Sequence, residues 1–263
     1  DPVAHVIARN AQAVIRASGL LRDGFNYQTG AGGASLAASQ YLREDMRRMG
    51  LHGGFLLGGI TRYMVDMLEE KLFAAIYDVQ GFDLASVRSL AENAAHYEIS
   101  ADSYANPRQK SCYVDFLDAV LLGASEVDVN FNVNVHTDSN GVLIGGSGGH
   151  NDAAAGAKMT IIVAPLVRAR LPIVVERCTT ITTPGKTVDV LVTECGIAVN
   201  PHQPELVARL KAARLPLYSI EELRAMALEI TGTPRKLALS DRVVGLVEYR
   251  DGGIIDSIYA PLE

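Results

Sequence analysis

The chain has 263 residues, 48% of them hydrophobic and 21% charged, with a formal net charge of −6. That length can bury a full core as one large domain or two small ones, and with no internal repeat or low-complexity linker it reads as one, 1–263. A negative balance without any basic cluster argues against nucleic acid as the main partner. No apolar stretch approaches the roughly 20 residues needed to cross a bilayer and no secretory signal pattern is present, so no membrane association is expected.

Asp1 is a helix cap and Pro2 a first helical residue, and the apolar stripe Val3, Val6, Ile7, Val14, Ile15 predicts a helix ending near Gly19. Phe25 to Gln28 reads as a short strand, running into the glycine loop Thr29 to Ser35 and a helix from Ala37 to Met49. Strand, glycine loop, helix presents backbone N–H groups to an anionic or carbonyl ligand. The loop lacks the G-x-G-x-x-G spacing and its following acidic residue, which argues against a dinucleotide site. Strands at Phe55 to Ile60, Phe73 to Val79 and His96 to Ala101 alternate with helices at Tyr63 to Lys71 and Leu84 to Asn93. This rhythm predicts an α/β fold with a mixed, largely parallel sheet flanked by helices.

After the break at Ala105-Asn106-Pro107 comes the most distinctive stretch, Leu117 to Thr160. Val127, Val129, Phe131, Val133 and Val135 alternate with Glu126, Asp128, Asn130, Asn132, Asn134 and His136, the period of an extended strand with one apolar and one polar face. Asn is depleted in strands, so this polar face reads as a hydrogen-bonded interior surface or a site. Asp138 to Gly141 is a hairpin turn. Gly145-Gly146-Ser147-Gly148-Gly149 then precedes a helix opening at His150, a second candidate cradle for an anion or oxyanion. Further strands are expected at Met159 to Val163, Ile173 to Glu176, Val188 to Thr193 and Gly196 to Val199, and helices at Pro204 to Ala213 and Ser219 to Ile230. The last helix opens with a capping box, Ser219 to Glu222. Val243 to Tyr249 and Ile254 to Tyr259 form a closing antiparallel hairpin. Cys112, Cys178 and Cys195 are odd in number and widely spaced, which predicts a reducing compartment and, with no paired His spacing, no metal site.

The runs VDFLDAVLLGASEVDVNFNVNV and GGSGGHNDAAAGAK resemble the glycine-rich core of the CoA transferases. With FNYQTGAGGAS and TVDVLVTECGIAVNP they resemble one branch of it, the citrate lyase alpha subunits, of which this chain is similar to the C-terminal half. The resemblance implies exchange of a CoA-like thioester from acetate to citrate, through an acetyl–citryl mixed anhydride. It implies a carrier-borne CoA-like prosthetic group as substrate, no cofactor bound by this chain, acyl-carrier and lyase subunits as partners, and an oligomer. An ordinary CoA transferase with Glu126 as covalent nucleophile and a non-catalytic, carrier-binding half are the alternatives.

Candidate catalytic groups are Glu126 and the amides of Gly148 and Gly149, with Gly32 and Gly33 as further oxyanion donors. Glu126 is either the nucleophile or a positioning, structural carboxylate. Candidate substrate contacts are Gln28, Gly30, Asn130, Gly146 and Ser147. His150 and Asn151 either hold citrate carboxylates or cap their helix. Arg62, Arg108 and Arg177 are equal candidates for gripping a carboxylate.

Overall fold

The computed structural model describes residues 1–235 and 237–262. Eight helices are present among them: α1 (Pro2–Ser18), α2 (Gly33–Met49), α3 (Arg62–Glu69), α4 (Leu84–Glu92), α5 (Ala101–Ala105), α6 (His150–Gly156), α7 (Pro204–Ala212) and α8 (Ile220–Thr231). The first strands are β1 (Tyr27–Thr29), β2 (Gly53–Ile60), β3 (Phe73–Gly81), β4 (His96–Glu98), β5 (Ala119–Leu122), β6 (Glu126–Asp128), β7 (Val133–Asn134) and β8 (Thr160–Val163). They are followed by β9 (Val167–Arg168), β10 (Leu171–Pro172), β11 (Val174–Val175), β12 (Val190–Val192), β13 (Ile197–Val199), β14 (Leu217–Tyr218), β15 (Leu239–Glu248) and β16 (Ile254–Pro261).

The helix ends follow the local chemistry. The Asp1 carboxylate accepts from the Val3 amide at 3.0 Å, and Gly19 closes α1 in the left-handed region at φ 81°. Ser219 and Glu222 form the reciprocal capping box at the start of α8. Ser100 caps α5 by accepting from Ser103, so the strand expected to reach Ala101 stops at Glu98.

Nine strands form the main sheet in the order β14-β13-β12-β8-β5-β1-β2-β3-β4. All neighbours are parallel except β12 and β13. Alternate side chains enter two separate cores. Ala119, Leu121, Ile161, Val163, Val190 and Val192 join α1, α2, α3 and α7 on one face. Val120, Leu122, Ile162 and Leu191 join α5, α6 and α8 on the other. Burial on both faces explains why β5 is a plain apolar run without alternation, and why sequence periodicity did not single it out as a strand.

From β1 the chain builds outward through β2, β3 and β4, then returns to β5 on the opposite side of β1 and continues through β8 and β12. The order therefore reverses between β1 and β5, and the C-terminal ends of these parallel strands leave a crevice there. Among the described residues, no helix is long and apolar enough to cross a membrane. The closing hairpin expected from the sequence is β15–β16.

The alternating Val127–His136 segment is not one strand. It folds back on itself, with β6 antiparallel to β7 and Glu126 opposite Asn134, and β11 adds in parallel on the other side. Asp128 makes the turn: its Oδ1 accepts from the amides of Asn130 (2.9 Å) and Asn132 (3.0 Å), and Phe131 takes a left-handed φ of 62°. The Asn-rich pattern that looked unusual for a strand is thus turn chemistry. The Asp138–Gly141 turn closes a local hairpin, with Thr137 bridging Leu143, and lies outside the main sheet.

Asp128 is 1% exposed and also meets the Cys178 amide at 3.3 Å. Replacing it by Ala is expected to lower the unfolding free energy by roughly 3 kcal/mol, because the buried Cys178 amide and the part-buried amides of Asn130 and Asn132 lose a charged acceptor. A denaturant titration showing a loss below about 1 kcal/mol would mean that the backbone alone holds the turn.

Candidate functional site

The crevice at the strand-order reversal is lined by two adjoining clefts. One, about 260 Å³, is walled by Gln28, Gly30, Gly58, Phe82, Tyr104, Gly123, Ser147, Gly148, Gly149 and His150. The other, about 350 Å³, is walled by Gly30, Gly32, Gly33, Gly123, Pro165 and Arg168. They share Gly30, Ala31 and Gly123, the first residues beyond β1 and β5.

The walls are tied together from below. The Gly30 amide donates to the Leu121 carbonyl at 2.9 Å, extending the β1–β5 pairing by one bond. Gln28, 7% exposed, donates from Nε2 to the Tyr104 hydroxyl at 2.9 Å, and that hydroxyl lies 3.4 Å from the Gly149 carbonyl. Gly58 leaves the space Gln28 occupies: at φ 97°, a Cβ there would sit 2.9 Å from the Gln28 amide carbon. Burial pushes the Tyr104 phenol up to about 12, so it remains a neutral donor.

His150 occupies the floor. Its Nε2 lies 2.9 Å from the Gly123 carbonyl and its Nδ1 lies 2.7 Å from the Thr183 hydroxyl. The carbonyl can only accept, so Nε2 carries the proton and Nδ1 accepts from Thr183. Burial pushes its pKa down to about 4, with the Gly123 bond opposing the shift. The ring is a neutral pin between the end of β5 and the second glycine loop.

Backbone amides are the groups left free. Among the described residues, the N–H groups of Gly32, Gly148 and Gly149 donate to no protein acceptor. A Cβ at Gly32, Gly33, Gly146 or Gly148 would meet nothing within 4 Å. Gly32, at φ −71°, has no conformational need to be glycine either. The bare backbone at Gly32 and Gly33 faces open cleft.

The structure brings Gln28, Gly30, Gly32, Gly33, Ser147, Gly148, Gly149 and His150 together in this crevice. It does not place the others there. Gly146 is exposed beside it, Asn130 is on the exposed β6–β7 turn, and Asn151 is buried in the first turn of α6, whose N-cap position is Gly149. Glu126 is 2% exposed in β6. Its carboxylate accepts from the Asn134 side chain (2.9 Å), the Thr179 amide (2.8 Å) and the Thr179 hydroxyl (3.1 Å). None of Arg62, Arg108 and Arg177 lines either cleft, whereas Arg168 lines the larger one. Sequence reasoning missed Tyr104, Gly123, Thr183 and Arg168. Only Gly123, closing the apolar run of β5, carried a readable signal.

His150 makes stability depend on pH. The unfolded imidazole binds its proton near 6.5 and the folded one near 4, so its contribution is complete above about pH 6.5 and is lost as pH falls toward 4. Between pH 7 and 4.5 the chain is expected to lose roughly 2 kcal/mol more than His150→Gln does, as measured by denaturant unfolding at both pH values. Equal losses would show that the imidazole is protonated in the folded chain.

The family described as "Citrate lyase, alpha subunit (CitF)" matches residues 1–260. The citrate lyase alpha chain of Klebsiella pneumoniae is 52% identical over 258 residues, covering 98% of this chain and 51% of that protein. The citrate lyase alpha chain of Escherichia coli (strain K12) is 50% identical over 259 residues, again 98% of this chain and 51% of the relative. A crystal structure of a citrate lyase alpha subunit from Streptococcus mutans in complex with citrate superposes with a TM-score of 0.98 at 48% identity, over all of this chain and 52% of that one. RipA from Yersinia pestis, at 16% identity and a TM-score of 0.60 over 87% of this chain and 52% of its own, shares the fold. The chain spans about half the length of the curated relatives it matches. On the match along residues 1–260, the chain belongs to the citrate lyase alpha subunit family.

Proposed function

We propose that this chain supplies one half of an acyl-exchange site, in which citrate displaces acetate from a CoA-like thioester borne by an acyl carrier protein. The observation that carries this reading is the pair of glycine loops, whose unpaired amides and Cβ-free backbone converge on one crevice at the reversal of strand order. Such donors stabilise the oxyanion that develops when a carboxylate adds to a thioester carbonyl, each supplying about 3 kcal/mol. The single-domain half-subunit works in the cytoplasm as part of an oligomeric complex with acyl-carrier and lyase subunits. Citrate bound to a relative of nearly the same fold supports citrate as the acid.

The exchange balances without an enzyme ester. A citrate carboxylate oxygen bonds to the acetyl carbon as its C–S bond breaks, giving an acetyl–citryl anhydride and a thiolate. The thiolate then bonds to the citryl carbon, and the C–O bond on that side breaks to release acetate. Holding both reactants in one site accounts for roughly 7–11 kcal/mol of barrier reduction. The hydrogen-bonded, buried setting of Glu126 supports a structural carboxylate over a nucleophile.

Oxygen labelling separates the routes. With the full-length subunit, an acetyl thioester and citrate labelled with ¹⁸O in its carboxylates, direct exchange carries one label into each acetate released. In a single turnover, label in the Glu126 peptide with unlabelled acetate would make this a glutamate-dependent transferase, because the acetate then takes its second oxygen from the glutamate. Gly33→Ala adds a methyl into open cleft at a helix start, so unfolding stability is expected to hold while exchange falls about 100-fold. Undiminished exchange would remove the first glycine loop from the site.

A further inference from the structure

The closing hairpin is seated along one side only. Val247 and Ile258 are buried and Asp256 accepts from the Ile181 amide at 2.6 Å, whereas Val244, Leu246 and Ile254 are more than half exposed and the two strands pair with each other. One side chain nevertheless reaches from its tip into the body. The turn fixes its origin: the Tyr249 amide donates to the Gly253 carbonyl at 2.7 Å, the Gly252 amide to the Tyr249 carbonyl at 2.9 Å, and Gly252 has φ 89°. From this turn the Arg250 side chain, 12% exposed, enters the crevice wall. Its Nη2 donates to the Ala105 carbonyl at 3.0 Å and its Nε lies 3.4 Å from Asp152 Oδ1, a charge contact.

These two partners carry the two sides of the smaller cleft. Ala105 follows Tyr104, the residue that holds Gln28. Asp152 lies in the first turn of α6, three residues after Gly149. The sides are already in close contact: a Cβ at Gly149 would sit 2.5 Å from the Tyr104 ring. A planar guanidinium hydrogen-bonded to the Ala105 carbonyl and held against the Asp152 charge constrains their separation more than a flexible ammonium would. Stability alone does not require it, since apolar packing commonly replaces a mostly buried ion pair without loss.

We propose that Arg250 is a positioning residue for the acyl exchange: through Ala105 and Asp152 it holds the Gln28–Tyr104 wall against the amides of Gly148 and Gly149. The consequence for exchange rests on the function proposed above, whereas the consequence for loop geometry does not. Two measurements separate them.

In the full-length subunit, Arg250→Ala is expected to lower kcat between about 10- and 100-fold with the citrate KM within about twofold, since misplacing a donor by about 1 Å costs that order in rate. Arg250→Lys recovers little of this, and added methylguanidine restores part of the activity of Arg250→Ala. Ser240→Ala, in the same hairpin but bonded only within it, to the Ala260 carbonyl and from the Arg242 amide, keeps wild-type kcat. In this chain alone, nitrogen-15 spectra of Arg250→Ala show displaced amide resonances for Gly148 and Gly149 and for the Gln28 side chain, while those of Ser240→Ala do not. Folded Arg250→Ala with unmoved resonances overturns the proposal, as does wild-type kcat beside a lowered Tm, which would make Arg250 merely structural. A wild-type subunit inactive toward citrate would instead overturn the proposed function, leaving the resonances to decide the role of Arg250.

Discussion

Everything at the crevice depends on the pairing of β1 with β5. These strands are adjacent and parallel, yet they begin two halves of the sheet that grow in opposite directions. Connections from β1 and β5 must therefore part company on leaving the sheet, and a gap opens between them. The bond from the Gly30 amide to the Leu121 carbonyl carries the pairing one residue past β1, so the first loop departs from a fixed point. Two cores clamp the same strands, one on each face. The rigidity of the site is thus inherited from the most deeply buried part of the molecule.

The division of hydrogen bonds around the crevice follows from that rigidity. Side chains that could have served as reactive groups are spent on holding backbone. His150 joins Gly123 to Thr183, Tyr104 joins Gln28 to Gly149, and both are neutral, with values near 4 and near 12. What is left for a ligand is main chain: amides with fixed direction and no charge to neutralise. Such donors need no reorganisation when negative charge develops on an oxygen, which is the property that makes an oxyanion site effective. Arg168, at the edge of the larger cleft, is the cation best placed to meet a carboxylate.

The layout of the fold was legible where local chemistry decides it. Asp1-Pro2 with Gly19, the Ser219–Glu222 box and the closing hairpin each rest on residues near in sequence, and each matches its element. Both glycine loops were recognisable because three glycines in the four residues from Gly30 to Gly33, and four in the five from Gly145 to Gly149, have few other uses. Long-range effects were not legible. Strand β5 has no period because it is buried on both faces, and the alternation of Val127 to His136 concealed a reversal driven by the Asp128 side chain. Tyr104, Thr183 and Arg250 reach the site across separations of 76, 33 and 145 residues from their partners Gln28, His150 and Ala105, and no pattern in one sequence reports such contacts.

Glu126 shows how chemistry and resemblance divide. A glutamate in this segment suits a nucleophile in related transferases, but nucleophilicity requires a carboxylate that can leave its partners and meet a carbonyl. Here three donors hold both oxygens, and the residue is locked in β6 between β7 and β11. Breaking bonds to a charged acceptor costs about 1.5–3 kcal/mol each before any reaction begins, and Glu126 as a residue is only 2% exposed. The same carboxylate, left in place, ties the Thr179 backbone to β6 while Thr182 and Thr183 bond β7 and the neighbouring His136 and His150. Its position thus reaches the crevice through the Thr179–Thr183 segment and the His150 ring. The geometry therefore gives Glu126 the surroundings of a structural acid that orders this segment rather than those of a nucleophile.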